Sequence, residues 1–185
     1  MDDPRWQVTA SSYVLDSPYL RIRSDRIVLP DGTVIEDYYV RESRGYVIVF
    51  ALTAAREVVL VRQYKHGAGK RLVELVAGAI DEGEEPHETA VRELAEETGY
   101  SAPTVEHVRS FITDPTNADT VAHLFYARDA YRSGEQRLDV TENISVELVG
   151  LEELRKMLRS GEIDSMPHVG AIYFMLDRFA ELSPD

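Results

Sequence analysis

The stretch from Pro86 to Gly99, "PHETAVRELAEETG", constrains the fold of this chain more than any other. Pro86 suits a first helical turn, where its missing N–H costs nothing, and Gly99 suits the left-handed residue past the end. The pattern predicts a helix over Pro86–Thr98, with His87, Val91, Leu94 and Thr98 on its core face. Glu93, Glu96 and Glu97 share a different side, because residues three or four apart lie one above the other. Like charges one turn apart destabilise a helix by roughly 0.2–0.5 kcal/mol per pair. Arg92 can pair with Glu88 or Glu96, which leaves Glu93 and Glu97 without a local partner. Clustered glutamates are most often a solvated face, but this helix has an apolar side and lies among strands. Hard cations resolve the repulsion, since Mg²⁺ takes oxygen ligands and joins one or two carboxylates to substrate phosphates.

Around that helix the chain reads as strands. "YLRIRSDRIVLPDGTVIEDYYV" holds two apolar-rich runs about Pro30-Asp31-Gly32, a turn in which proline presets φ and glycine tolerates positive φ. "YVIVFAL", "EVVLVRQY" and "RLVELVA" precede the helix, and "VEHVRSFIT", "VAHLFYARD" and "ISVELVG" follow it. Leu151, Leu154 and Leu158 mark a short helix; Val169, Ile172, Tyr173, Leu176 and Phe179 mark a longer one, with Ser165 as N-cap before Pro167. Strands, a helix, more strands and terminal helices predict an α+β sandwich rather than a regular βαβ alternation.

The 185 residues include no cysteine, which excludes disulfides and thiolate chemistry. A formal net charge of −13 argues against nucleic acid or an anionic membrane as partner. The first residues are acidic and polar, and no apolar run approaches the length of a membrane span, so a soluble cytoplasmic protein is expected. An acidic protein that handles a phosphate-bearing substrate needs a local positive device, either basic side chains or bound cations. Arg62, Lys65, Lys70 and Arg71 form a basic cluster ahead of the helix. The histidines show no metal-ligand spacing and read as surface or packing residues.

Gly78, Glu84, Arg92, Glu93, Leu94, Glu96, Glu97, Gly99 and Tyr100 fill every position of G-x5-E-x7-R-E-U-x-E-E-x-G-U, with an aromatic at the last. At background frequencies near ~7%, its seven fixed letters arise by chance on the order of once in 10⁸ placements. The stretch resembles the signature of the Nudix hydrolase superfamily. "VVLVRQYKHGAGKRLVELVAGAIDEGE" is further similar to ADP-ribose pyrophosphatases within it.

The resemblance implies a Nudix-type α/β/α sandwich with a mixed sheet over residues 44–185, preceded by a small antiparallel β-sheet segment over 1–43 that builds a homodimer and touches substrate. It implies Mg²⁺, with Mn²⁺ able to substitute, and a nucleoside diphosphate sugar as substrate, ADP-ribose leading and GDP-mannose the main rival. A non-catalytic sensor of such ligands would be expected to lose the box carboxylates, and all are present here. By the same likeness Glu93, Glu97 and the Ala77 carbonyl hold metal, with Glu96, Glu84 and Glu142 as further ligands. Arg92 orients the glutamates, Gly78 and Gly99 permit tight turns, and Glu142, with Asp139 as runner-up, is a candidate base. Arg62, Lys65, Arg71 and Pro115 are assigned to substrate, and Trp6, Tyr13, Tyr19, Tyr38 or Tyr39 could stack on a base. Lys65 stands where arginine is usual, Val76 replaces a proline, and "TDPTNADT" lacks the usual Gly and Phe. These departures lie on the substrate side of the site.

Overall fold

The computed structural model describes residues 5–18 and 20–182, with side chains described as far as residue 179. Tyr19 lies outside the described residues. The chain forms two compact units, one of residues 1–45 with 112–121 and one of 46–111 with 122–185.

The first unit is an antiparallel sheet of β1 (Gln7–Asp16), β2 (Arg21–Val28) and β3 (Val34–Glu42), in that order. Its β2–β3 turn forms where the sequence places it: Gly32 has φ 86°, and Leu29 and Thr33 close the turn at 2.8 Å. The sheet buries one carboxylate, Asp25, which accepts from Ser11 at 2.6 Å and from Arg23 at 2.9 Å. Arg23, on the same strand, matches the buried charge and also reaches Glu42 of β3 at 2.7 Å. β1 is exposed along its whole length. The segment around Pro115 joins this unit through Arg41, whose N–H donates to Asn117 O at 2.8 Å, and through the Tyr38 hydroxyl, which donates to Thr116 O.

The second unit holds β4 (Tyr46–Thr53), β5 (Glu57–Lys65), β6 (Lys70–Ala79), α1 (Pro86–Thr98), β7 (Tyr100–Ser101) and β8 (Thr104–Ile112, whose last residue falls in the first unit). β9 (Val121–Arg132), β10 (Ile144–Gly150), α2 (Leu151–Ser160) and α3 (Met166–Leu182) complete the chain. The sheet order is β10-β5-β6-β4-β9-β7, with β8 beside β9. β4 and β9 run parallel, which makes the sheet mixed.

"YVIVFAL" has no polar alternation because both faces of β4 are covered. Ile48, Phe50 and Leu52 pack with Leu154, Leu158, Ile172, Met175 and Leu176 of α2 and α3. Val47, Val49 and Ala51 pack with Ala90 and Leu94 of α1. This is the expected α/β/α layering, one helix on one face and two on the other.

β6 is antiparallel to β5 from Lys70 to Leu75, and antiparallel to β4 from Val76 to Ala79. Because β4 and β5 are themselves antiparallel, β6 satisfies both only by bending between Leu75 and Val76. The bend carries Ala77 and Gly78 away from β5 and under α1.

The bounds of α1 agree with the sequence reading. Glu85 and Glu88 form a reciprocal capping box, and Gly99 ends the helix at φ 73°. The buried face is rotated from the expected one: Thr89, Ala90, Leu94, Glu97 and Thr98 are inside, whereas His87 and Val91 are exposed. Small residues at 89 and 90 let the helix approach the sheet closely, and this turns a glutamate inward. A Cβ on Gly99 would lie 2.5 Å from Gly134 O, in addition to the strain of its positive φ. Gly99→Ala is expected to cost on the order of 1–3 kcal/mol, read as a lowered midpoint in urea or heat with an unchanged far-UV spectrum.

Candidate active site

The loop between β6 and α1 brings a strand edge and a helix face together, and Gly78 decides how close they come. An ideal Cβ at residue 78 would lie 2.0 Å from the Glu93 carboxyl carbon. Gly78 has no positive φ, so it serves this close approach and not the tight turn expected of it; Gly83, at φ 80°, makes the turn.

Arg92 organises the acids. Its Nε and Nη2 donate to the two oxygens of Glu84 at 2.9 and 2.8 Å, and its Nη1 donates to Glu93 at 2.8 Å and to Glu96 at 3.2 Å. These charge-assisted bonds hold the Glu84 carboxyl down at about pKa 2. Glu84 also accepts from Thr89 Oγ1 at 2.8 Å, which fixes the loop to the first turn of α1.

Glu97 is only 4% exposed. Its hydrogen bond comes from the Ala77 N–H at 3.3 Å, and burial, with the Glu93 charge added, raises its pKa to about 8. Burial also raises Glu93, despite the Arg92 guanidinium beside it. A buried acid and a partly buried one whose charged forms are disfavoured, next to an arginine already engaged by Glu84, form a site short of positive charge. An extended residue presents its N–H and C=O on the same edge, so the Ala77 carbonyl leaves the strand on the side that meets Glu97.

Residues 42–169 match the NUDIX domain family, and residues 6–40 match the nucleoside diphosphate sugar hydrolase N-terminal domain. The chain belongs to the Nudix hydrolase family. An ADP-ribose pyrophosphatase of Bacillus subtilis (strain 168) is 32% identical over 167 residues, 90% of each chain. A methanol dehydrogenase activator of Bacillus methanolicus is 32% identical over 157 residues, 84% of each. A crystal structure of an ADP compounds hydrolase superposes with a TM-score of 0.81 at 19% identity, covering 96% of this chain and 95% of that one, and shows the shared fold.

In this Nudix hydrolase the remaining candidate residues fall in different places. Glu142 closes a turn with Asp139, each backbone N–H answering the other residue, and its charge is felt at both Glu93 and Glu97. Val58 and Leu60 face α2 and α3 while Val59 and Val61 face α1, so by alternation Lys65 lies on the α1 side and Arg62 on the other. Arg62 is held there by Glu147 at 2.6 Å and Glu162 at 2.9 Å. Arg71 donates to Arg62 O at 3.2 Å and Asn143 O at 3.4 Å, and Lys70 pairs with Asp164. Pro115 belongs to the first unit. In that unit Trp6 meets Tyr38 edge-on at 5.9 Å, the Tyr13 hydroxyl donates to Glu42 at 2.8 Å, and Tyr39 is exposed.

Sequence reasoning missed the clasp between the Glu142 loop and α1. Gln136 Nε2 donates to Glu97 O at 2.7 Å, and the Arg137 N–H donates to Glu96 O at 2.9 Å. The Ser133 and Gly134 N–H groups donate to Gly99 O at 2.9 and 3.1 Å. Carbonyls at a helix end require partners, and an unassigned polar run after a strand is the available signal.

The family uses a divalent ion, and the donor chemistry fits one: carboxylate oxygens and a strand carbonyl are hard ligands. Among the described residues no three acidic or imidazole side chains are gathered tightly enough to hold an ion; Glu84, Glu93 and Glu96 each pair with Arg92. Binding would exchange part of that grip for the ion.

The raised Glu97 has a thermodynamic consequence. Between its ordinary pKa of 4.5 and about 8, the folded metal-free protein retains a proton that the unfolded chain has released. Stability therefore falls as pH rises across that window. His168, held down at about 4 from 6.5 by burial, gives the opposite slope below pH 6.5. Differential scanning fluorimetry of the metal-free protein is expected to show a falling midpoint from pH 6.5 to 8, flattened both by Glu97→Gln and by MgCl₂. A profile in which the unsubstituted protein and Glu97→Gln run parallel would contradict the burial of an unpaired acid.

Proposed function

We propose that this Nudix hydrolase cleaves the diphosphate of nucleoside diphosphate sugars with Mg²⁺ (Mn²⁺ substituting), and that ADP-ribose, hydrolysed to AMP and ribose 5-phosphate, is its leading substrate. The observation that carries this reading is Glu97: a buried carboxylate bonded to a strand N–H and beside a second, partly buried acid, in a protein of net charge −13. The substrate choice is supported by the ADP-ribose pyrophosphatase of Bacillus subtilis, which aligns over 90% of this chain.

Glu93, Glu97 and the Ala77 carbonyl would hold the ion, with Glu96 and Glu84 adjusting through Arg92 and Glu142 serving as a further ligand or as the base. When bound, the ion neutralises diphosphate charge and supplies Lewis acidity at phosphorus. The chain's own residues do the rest. Glu142, on the loop clasped to α1, takes the proton of the attacking water. The water oxygen forms the new P–O bond, the bridging P–O bond breaks, and the leaving phosphate departs with its electron pair. Lys65, on the α1 side of β5, faces the diphosphate.

Two copies pair through the N-terminal sheet. β1 is exposed throughout, and Val8, Tyr13, Val14 and Leu15 are exposed apolar side chains on its two faces, an edge strand that an isolated soluble chain would leave vulnerable.

A panel of nucleotide sugars assayed with MgCl₂ and coupled to phosphatase release is expected to show the highest kcat/KM on ADP-ribose. Higher turnover of GDP-mannose would move the substrate while keeping the reaction, and binding without turnover would mark a sensor. Glu97→Gln is expected to lower kcat by at least about a hundredfold with an unchanged fold by circular dichroism. Undiminished activity would remove Glu97 from the metal site.

A further inference from the structure

The bend in β6 leaves two polar groups in the protein interior. Leu75 N–H finds a partner in α3, donating to His168 Nδ1 at 3.2 Å. That bond places the remaining ring proton on Nε2, which lies 3.3 Å from Glu74 Oε1. Glu74 and His168 are each 6% exposed. Burial lowers the His168 pKa to about 4, so the ring is neutral near pH 7 and cannot itself cancel the Glu74 charge. The second Glu74 oxygen, Oε2, lies 3.6 Å from the Lys65 ammonium. A buried carboxylate is costly without a cation, and Lys65 is the one that approaches it here.

Lys65 is half exposed, and its charge also reaches the acidic helix, where it opposes the raised pKa of Glu97. The ammonium thus acts on the two buried carboxylates, Glu74 and Glu97, with its other side open to solvent. A free lysine at such a site would sample many rotamers, and the loss of that side-chain entropy would fall on substrate binding. Anchoring to Glu74 removes part of that cost beforehand.

We propose that Glu74 and His168 are positioning residues that hold the Lys65 ammonium at the place where the substrate's diphosphate lies, His168 by fixing the Glu74 carboxylate and Glu74 by fixing Lys65. This rests on the nucleoside diphosphate sugar reading above. It assigns to the β6 bend and the start of α3 a role in substrate affinity, in addition to capping a backbone N–H.

The two nitrogens of His168 allow the roles to be separated. His168→Asn keeps an acceptor near the Nδ1 position for Leu75 N–H and removes the Nε2–H that faces Glu74. The experiment is a double-mutant cycle of Lys65→Met and Glu74→Gln, with His168→Asn beside it. It reads KM and kcat on the preferred nucleotide sugar, and the calorimetric Kd of a nucleoside diphosphate analogue whose bridging oxygen is a methylene.

Lys65→Met and Glu74→Gln are each expected to raise KM and Kd about tenfold, the loss of one charge-assisted contact, with kcat within about threefold. The double variant should be no weaker than Lys65→Met alone, because Glu74 acts through Lys65. His168→Asn should raise KM in the same direction at an almost unchanged melting temperature. Multiplying effects in the double variant, or a Glu74→Gln that lowers only the melting temperature, would overturn the proposal. If the unsubstituted protein binds the analogue but hydrolyses no nucleotide sugar, the hydrolase reading falls while the Kd cycle still decides the positioning roles.

Discussion

Everything at the site depends on how closely α1 lies against β6. The Glu93 carboxyl group occupies the space that any side chain at residue 78 would need. With Thr89 and Ala90 beneath it, α1 can descend until Glu97 receives a hydrogen bond from the Ala77 backbone. That descent withdraws two carboxylates from water, and their raised pKa values express its cost. A protein that tolerates such a cost in its metal-free state holds free energy that a cation can recover on binding. The sequence signature is therefore more than a set of acids. Its first glycine, with Thr89 and Ala90 between its fixed positions, sets the distance at which the acids become unstable alone.

The bend in β6 supplies the other half of the geometry. A straight strand would continue alongside β5 and leave α1 facing an ordinary sheet. The change of partner from β5 to β4 exposes backbone groups on both sides of the turn. On the α1 side Glu97 takes the Ala77 N–H, and on the α3 side His168 takes the Leu75 N–H. Neither group is left to the interior unpaired. The helices on opposite faces of the sheet are thus tied to the same short piece of strand, and this strand carries Glu74 and Ala77 a few residues apart.

Much of this was legible from the chain alone. The limits of α1 were readable because caps are local: Pro86, the Glu85–Glu88 box and Gly99 specify them within a few residues. The layered fold followed from uninterrupted apolar strands flanked by amphipathic helices. The burial of Glu97 was not readable, since a tertiary approach overrode the apolar face marked by His87 and Val91. The separation of Arg62 from Lys65 was hidden for a related reason. In "EVVLVRQYK" both faces are buried, so the run has no alternation from which to tell them apart. Glu74 and His168 are 94 positions apart by the numbering and meet only because the strand bends, which no local pattern encodes.

Charge placement explains how so acidic a protein can accept a diphosphate. Arg92 is committed to Glu84, Glu93 and Glu96, Arg62 to Glu147 and Glu162, and Lys70 to Asp164. Pairing of this kind fixes the scaffold and leaves those cations little to offer a ligand. Lys65 differs in kind: its partner Glu74 is buried beneath it, while its own side chain remains in contact with solvent. Coulomb attraction between an ammonium and a phosphate weakens steeply with solvent screening, so a cation held still at the mouth of the site is worth more than several mobile ones on the surface. Most of the neutralisation must then come from ions that arrive with the substrate. The excess of acid around α1, which would repel a bare diphosphate, would instead favour one that comes with the divalent ion the family uses.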